Sequence, residues 1–383
     1  MVARVRGELV SIGEVLPGAQ LLQMAQELLS AEDWADFNAR GSVDLSLVVA
    51  GTRCRINLYR TIRGLGLATR LLAPSVGDLR ACNLHPDLRR LVAAPTGLVL
   101  VSGPTGSGKS TTLAALLEEV NTARALNIIT LESPLEYVFV NRRSYIRQRE
   151  IPSHSPSFDQ AIVDALRENP DVLVISEMRT PEVMRLTLDA AETGHLVLAT
   201  MHSASCGEAL SRICMSFPSD IQNSIRAQLA DCLVGVVCQR LEYVERWQLR
   251  IPRCEVLLPN SGARGTIRAG QFSQITNVIQ SGGDEGMWTF DRYQRWMEQQ
   301  REWVRPSVPT ATAVDSELVR SATRVATPVG KATAPVASAA RAARNSTPAA
   351  AAPKDGPDEI TIDEDMDLEE LAELARRIER RTP

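Results

Sequence analysis

The sequence predicts an α/β protein built around a phosphate-binding loop, and three observations support this fold class. A complete G-x-x-x-x-G-K-S pattern occupies residues 103–110. An apolar run at 98–101 predicts a buried strand before the loop, and residues 111–120 predict a helix after it. From about residue 85 to residue 303, strand-like and helix-like segments alternate, which is typical of a largely parallel sheet.

The loop contains the only lysine among the first 330 residues, Lys109, whereas Lys331 and Lys354 lie in an Ala/Pro/Thr-rich stretch. Arginine carries the other positive charges, which indicates a codon preference but does not explain where this lysine lies. A slim ammonium reaches the β- and γ-phosphates of a nucleotide through a slot too narrow for a guanidinium. The pattern therefore predicts ATP binding by the backbone and side chains of Gly103, Pro104, Thr105, Gly106, Ser107, Gly108, Lys109, Ser110 and Thr111, with the Ser110 hydroxyl on Mg²⁺. A chance match without binding is the alternative.

Two further apolar runs end in acidic residues. Residues 172–175 lead to Glu177, in the Walker B arrangement that presents a carboxylate to Mg²⁺ or to the attacking water. Residues 128–131 lead to Glu132. If both strands belong to one parallel sheet, the two carboxylates could divide the work, with Glu177 near the metal and Glu132 orienting water. The alternative is that both acids simply face solvent at strand ends.

Histidines flank a third apolar run, residues 196–201. His202 follows the predicted strand and is expected to sense the γ-phosphate. His195 precedes the strand, and an ordinary structural role is an equal alternative for it.

Composition narrows the function classes. The chain has 383 residues, 44% of them hydrophobic and 23% charged, which leaves room for two domains of an ordinary soluble protein. No apolar run approaches the roughly 18 residues that span a bilayer, so we expect a cytoplasmic protein with at most a peripheral membrane role. The seven cysteines form no C-x-x-C pair, which argues against a zinc module.

Charge is unevenly distributed along the chain. Eleven acidic and four basic residues follow residue 354, a balance of −7, which leaves about +3 for the rest of a chain whose net charge is −4. Neither value is extreme, so no nucleic-acid partner is expected.

The expected organisation has four parts. Residues 1–84 form an N-terminal domain with a helix near 21–29 and a hairpin of strands 42–49 and 53–59 that turns at Gly51 and Thr52. Residues 85–304 form the nucleotide-binding domain. Residues 305–356, rich in Ala, Pro and Thr, predict a disordered linker. Residues 357–383 are acidic, and either a short amphipathic helix or a solvated tail fits their pattern.

Several segments together resemble a known family. These are the apolar run into the phosphate-binding loop at 97–102, Gln148-Arg149-Glu150, Ala165-Leu166-Arg167-Glu168-Asn169-Pro170-Asp171-Val172, Ser176-Glu177-Met178-Arg179 and Ala190-Ala191-Glu192-Thr193-Gly194-His195-Leu196-Val197. From about residue 43 to residue 298, the chain resembles the type IV pilus retraction ATPases of the twitching-motility family, within the type II/IV secretion ATPase superfamily.

The resemblance implies a PAS-like α+β domain followed by a RecA-like ATPase domain, assembled into a homo-hexameric ring. It implies hydrolysis of ATP to ADP and phosphate, coupled to pilin depolymerisation through an inner-membrane platform protein, with related pilus ATPases as further candidate partners. Family arginines from the N-terminal domain reach the nucleotide, and here Arg55, Arg63 and Arg70, after Arg53, resemble their spacing. Surface arginines on a strand are the alternative.

The chain departs from the family pattern at three positions, and its N-terminal domain begins late. Ser133 stands where the family has aspartate, Ser176 where it has glycine, and Thr180 where it has aspartate. Losing a water-orienting carboxylate can cost on the order of 10²-fold in rate. Two alternatives therefore stay open, a secretion or pilus-assembly ATPase and a weakly catalytic accessory or regulatory ring subunit. The former generally has a four-cysteine zinc module and a longer N-terminal domain.

Overall fold

The computed structural model describes residues 1–5, 8–13, 15–49, 52–72 and 77–305. These residues form two compact units that divide between Leu71 and Leu72. The predicted linker, beyond its first residue, and the predicted acidic tail lie outside the described residues. No helix in the described part of the chain is long and apolar enough to cross a membrane.

The N-terminal unit combines short helices with antiparallel strands, as the sequence predicts. Its elements are β1 (Val2–Val5), β2 (Glu8–Ser11), α1 (Gly18–Leu28), α2 (Ala31–Arg40), β3 (Ser42–Val49), β4 (Thr52–Thr61) and β5 (Gly64–Leu71). β1 pairs with β2, while β3, β4 and β5 form an antiparallel sheet in that order. The predicted hairpin is confirmed, although Gly51 lies outside the described residues.

Alternation along β4 explains how this sheet packs. Cys54, Ile56 and Leu58 are buried, so one face of the strand lies toward the core while the intervening residues face away. Leu58 packs with Ala25 of α1 and Phe37 of α2. The three-stranded sheet therefore has one face covered by helices, and its other face carries Arg53 and Arg55 of β4.

The second unit is built on a seven-stranded sheet. Its strands are β6 (Gly97–Ser102), β7 (Asn127–Glu132), β8 (Tyr145–Glu150), β9 (Val172–Ile175), β10 (Leu196–Met201), β11 (Leu233–Val244) and β12 (Leu249–Leu257). Their order is β12-β11-β6-β10-β9-β7-β8, and every pairing is parallel except that between β11 and β12. The predicted, largely parallel sheet is confirmed.

Helices cover both faces of this sheet. They are α3 (Arg89–Ala93), α4 (Lys109–Ala123), α5 (Phe158–Leu166), α6 (Pro181–Glu192), α7 (Cys206–Met215), α8 (Gln222–Cys232), α9 (Ser261–Arg268), α10 (Ile275–Ser281) and α11 (Phe290–Gln299). Leu98 and Leu100 of β6 pack into one core cluster, and Val99 and Val101 into another. A strand buried on both faces is expected to be apolar throughout, as β6 is.

The second unit begins earlier than the predicted boundary at residue 84. Leu79 and Leu84 pack in the same cluster as Leu116 of α4. Asn83 and Val304 exchange two hydrogen bonds of 2.8 Å, which join the two ends of the unit. The composition does not change near Leu72, because this boundary depends on long-range packing.

Candidate active site

The phosphate-binding loop connects β6 to α4 and depends on two glycines. Gly103 has φ of 149° and Gly108 has φ of 85°, a backbone region that other residues rarely adopt. A Cβ on Gly103 would lie 2.3 Å from the backbone oxygen of Gln239, and one on Gly108 would lie 2.8 Å from its Nε2 atom. Both crowding and backbone conformation therefore require glycine in this loop.

Two side chains of the loop are suited to bind an anion. Lys109 Nζ donates to the carbonyl oxygens of Gly103 and Pro104, each at 3.0 Å, so the ammonium is folded over the loop. Burial lowers the pKa of Lys109, and the charge of Glu177 acts in the opposite direction. The Ser107 hydroxyl is buried without a hydrogen-bond partner among the described residues. A phosphate group would offer oxygens to both side chains.

Lys109, His202 and Glu177 form a continuous chain of contacts. His202 Nδ1 lies 3.5 Å from Lys109 Nζ, and His202 Nε2 lies 3.1 Å from Glu177 Oε1. A neutral imidazole with its proton on Nε2 satisfies both contacts, because Nδ1 can then accept from the ammonium while Nε2 donates to the carboxylate. Arg212 donates to the His202 carbonyl oxygen at 2.7 Å and thereby fixes its backbone.

Glu177 lies among positive charges. Arg179 donates to Glu177 Oε2 at 2.7 Å on the side opposite His202. Burial acts to raise the pKa of Glu177, but the hydrogen bond and charge of Arg179, with the charge of Lys109, outweigh it, so the pKa lies below its ordinary value. A surface cavity of about 340 Å³ opens beside this carboxylate. Glu177 is therefore an ionised carboxylate at the open side of the site.

Glu132 ends the neighbouring strand in a different environment. Its Oε1 atom accepts hydrogen bonds from Thr130 Oγ1 at 2.7 Å and from Gln148 Nε2 at 3.1 Å. Burial raises the pKa of Glu132, and these two donors only partly oppose that effect. Two carboxylates whose pKa values are pushed in opposite directions can take opposite roles in proton transfer.

The remaining predicted residues of the second unit lie as follows. Ser110 is half-buried in the first turn of α4, and Thr111 Oγ1 lies 2.8 Å from the Tyr137 hydroxyl. His195 lies at the opposite end of β10 from His202, with Nδ1 3.0 Å from the carbonyl oxygen of Ala190. His195 therefore lies away from the phosphate-binding loop, at the end of β10 opposite His202.

The three predicted arginines belong to the N-terminal unit. Arg55 and Arg70 are directly opposite each other on β4 and β5, and Arg55 lies 3.6 Å from Asp44. Arg63 lies in the turn between these strands, with its backbone N–H bonded to Thr61. Like charges placed opposite each other repel, which favours an anion beside them. Their role at the nucleotide remains a prediction.

The three departures from the family pattern have identifiable contacts. The Ser133 backbone N–H donates to Ser176 Oγ at 3.1 Å, and this hydrogen bond joins the ends of β7 and β9. The glycine that the family has in place of Ser176 could not provide the hydroxyl. Thr180 is the N-cap of α6, where its hydroxyl accepts from the Val183 N–H. Aspartate and threonine are both effective N-caps, so this substitution preserves the local structure.

Sequence reasoning missed Gln239, which braces the loop from β11. It is 2% exposed, and its Nε2 atom donates to the Ser107 carbonyl oxygen at 2.6 Å. Its Oε1 atom accepts from Thr112 Oγ1, also at 2.6 Å. The only signal in the sequence was a polar residue after the apolar run 233–238, which is too common a pattern to identify a partner.

A phosphate-binding loop beside two acidic strand ends, on a mostly parallel sheet covered by helices, defines a P-loop ATPase. The chain belongs to the type II/IV secretion system protein family, whose sequence profile matches residues 28–286. The predicted resemblance is thereby confirmed.

Two relatives and one solved structure illustrate the similarity. The chain is 39% identical over 240 residues to a twitching motility protein of Neisseria gonorrhoeae, covering 63% of this chain and 64% of the relative, less than two thirds of its length. It is 35% identical over 273 residues to the type IV pilus retraction ATPase PilT of Pseudomonas aeruginosa, covering 71% and 79%. The crystal structure of the pilus retraction motor PilT with bound ADP matches with a TM-score of 0.68 at 31% identity, covering 79% of this chain and 90% of that one.

Proposed function

We propose that this chain is the subunit of a hexameric motor that hydrolyses ATP to retract type IV pili. The supporting observation is the continuous contact from Lys109 through His202 to Glu177, which joins the phosphate-binding loop to the acidic end of β9. The relatives named for twitching motility and pilus retraction supply the cellular role.

The residues divide the chemistry as follows. The loop and Lys109 bind the β- and γ-phosphates of ATP, and His202 connects the lysine to Glu177. Glu132, with its raised pKa, is the group suited to accept a proton from the attacking water. The pKa of Glu177 is lowered, so this carboxylate is a weak proton acceptor and its role is electrostatic.

Ser110 and Glu177 are the residues that would hold Mg²⁺. A hydroxyl at the start of α4 and a carboxylate of lowered pKa are the oxygen ligands this ion prefers beside phosphates. When bound, the ion would supply positive charge to neutralise the phosphate oxygens. The donor set therefore fits the ion.

Assembly and location complete the proposal. In a ring, Arg55, Arg63 and Arg70 would bind phosphate oxygens through guanidinium groups. The ring would act in the cytoplasm, peripherally at the inner membrane, against the pilus platform protein.

The test of hydrolysis is ATP turnover by the purified full chain. Lys109→Ala should reduce turnover by at least about 10³-fold, because the ammonium stabilises charge that develops on the phosphates. Lys331→Ala, outside the loop, is the matched control and should retain full activity. Turnover that survives Lys109→Ala would contradict the proposal. ATP binding without Lys109-dependent turnover would favour the regulatory ring subunit.

The cellular role is tested by deleting the gene. Hyperpiliated cells that do not twitch would support retraction. Cells without pili would indicate an assembly ATPase, and lost protein export would indicate a secretion ATPase.

A further inference from the structure

The Gln148-Arg149-Glu150 segment has no role in the proposed hydrolysis, yet it forms the last part of β8, the strand beside Glu132. β8 pairs with β7 so that Gln148 lies opposite Thr130 and Glu150 lies opposite Glu132. β8 is the last strand of the sheet on this side. Its side chains can therefore contact both the end of β7 and the loop that follows it.

Gln148 uses its whole amide group in this position. Nε2 donates to Glu132 Oε1 at 3.1 Å and to the Tyr137 carbonyl oxygen at 2.8 Å. Oε1 accepts from the Phe139 N–H at 2.9 Å. Because two of these partners are acceptors and one is a donor, only one orientation of the amide satisfies all three.

The loop held by Gln148 also contacts the phosphate-binding loop. The Tyr137 hydroxyl lies 2.8 Å from Thr111 Oγ1, in the first turn of α4. Glu150 holds the same loop nearer its start, where its Oε1 atom accepts from the Leu135 N–H at 3.2 Å. A hydrogen-bonded path thus runs from the Glu132 carboxylate through Gln148 and Tyr137 to the nucleotide-binding helix.

We propose that Gln148 is a positioning residue for Glu132, which it orients and holds in register with the phosphate-binding loop. The inference rests on the proposed function, because it assigns Glu132 to the proton transfer. The two proposals can nevertheless fail separately, because hydrolysis could proceed without any contribution from Gln148.

The groups around Glu132 predict the effect of pH. Burial is the largest influence and raises the pKa of Glu132, and the charge of Glu136 acts in the same direction. Thr130, Gln148 and the backbone N–H of Glu136 lower it by hydrogen bonding to the ionised form. The Glu150 carboxylate is the acidic group opposite on β8. Removing the Gln148 donor should therefore raise the pKa of Glu132 further and move the acidic limb of the kcat profile to higher pH.

Two substitutions separate orientation of the carboxylate from support of the loop. Gln148→Met removes all three hydrogen bonds with little change in volume. It should lower kcat by roughly tenfold, leave the KM for ATP within about twofold, and move the acidic limb upward. Amide exchange in residues 137–140 should become faster, because the Phe139 N–H loses its acceptor.

Gln148→Glu keeps an acceptor for the Phe139 N–H but cannot donate to Glu132 or to the Tyr137 carbonyl oxygen, and it adds a like charge. Exchange of the Phe139 N–H should stay closer to wild type than in Gln148→Met, while the acidic limb should move further upward. This variant keeps the test informative if the methionine variant folds poorly.

Gln160→Met is the matched control. Gln160 donates to the Asp164 carboxylate at 2.9 Å on the exposed surface of α5, a bond of the same type away from the site. Its removal should leave the pH profile unchanged. An acidic limb that does not move in either Gln148 variant, with Lys109-dependent turnover intact in wild type, would overturn this inference alone. Absence of Lys109-dependent turnover in wild type would instead overturn the proposed function.

Discussion

The ends of β7 and β9 look alike in sequence but differ in chemistry. Each is an apolar strand that leads into a glutamate at the same edge of the sheet. Glu177, after β9, lies between His202 and Arg179, and its pKa is lowered. Glu132, at the end of β7, is held by the neutral groups of Thr130 and Gln148, and its pKa is raised. The same pattern thus produces one carboxylate whose pKa is lowered and one whose pKa is raised.

The order of strands explains this difference. β9 borders β10, whose end brings His202 between Glu177 and Lys109. β7 borders β8, which supplies Gln148. β9 and β7 are neighbours, and each glutamate takes its environment from the strand on the far side of its own strand, β10 for Glu177 and β8 for Glu132. Substitutions at the two strand ends test this difference.

The largest expected effects come from neutralising the two glutamates in turn. Glu177→Gln and Glu132→Gln should each lower kcat by roughly 10²- to 10⁴-fold. Their effects on stability should have opposite signs at about pH 7, as measured by urea denaturation. Glu132→Gln should raise the free energy of unfolding relative to wild type, and Glu177→Gln should lower it.

The signs follow from the direction of each pKa shift. The folded-state pKa of Glu177 is lowered, so its ionised form contributes stability above the ordinary glutamate pKa, and this contribution is lost as pH falls. The folded-state pKa of Glu132 is raised, so its contribution is complete at low pH and is lost as pH rises through that value. Shifts of the same sign in the two variants would mean that the environments are not opposed.

An intermediate effect is expected from substituting His202, which contacts Glu177 after β9 and has no counterpart beside Glu132 among the described residues. His202→Asn should lower kcat by roughly 10- to 100-fold with little change in KM, because it breaks the link between Lys109 and Glu177. His195→Asn is the control, since His195 lies at the other end of β10 and bonds to Ala190. Equal losses in the two variants would indicate a general effect on the strand.

The smallest effect is expected at Thr180, which follows the β9 end and caps α6. Thr180→Asp should change the free energy of unfolding by less than about 0.5 kcal/mol, whereas Thr180→Ala should cost about 1 kcal/mol. Turnover should stay within about twofold in both. Thr289→Ala removes the equivalent cap of α11 and is the stability control. A rise in turnover of more than tenfold in Thr180→Asp would show that this departure weakens catalysis.

Much of the nucleotide-binding core could be predicted because its signals are local. The glycine pattern, the strand of β6 and the helix of α4 each depend on neighbours in sequence, and all three are confirmed. β8 was not predicted as a strand, because a run of polar and charged residues between Tyr145 and Glu150 lacks the apolar character of a buried strand. That character is absent because β8 lies at the edge of the sheet.

The sequence by itself determined which residues end the strands, because one chain direction in a parallel sheet places every such end at the same edge. It therefore placed Glu132, Glu177 and His202 at the same edge of the sheet as the phosphate-binding loop. Only the tertiary structure decided which groups each of them contacts, since those partners come from strands and loops distant in sequence. The charge that surrounds Glu177 and the amide that orients Glu132 exist only once the strands are in order.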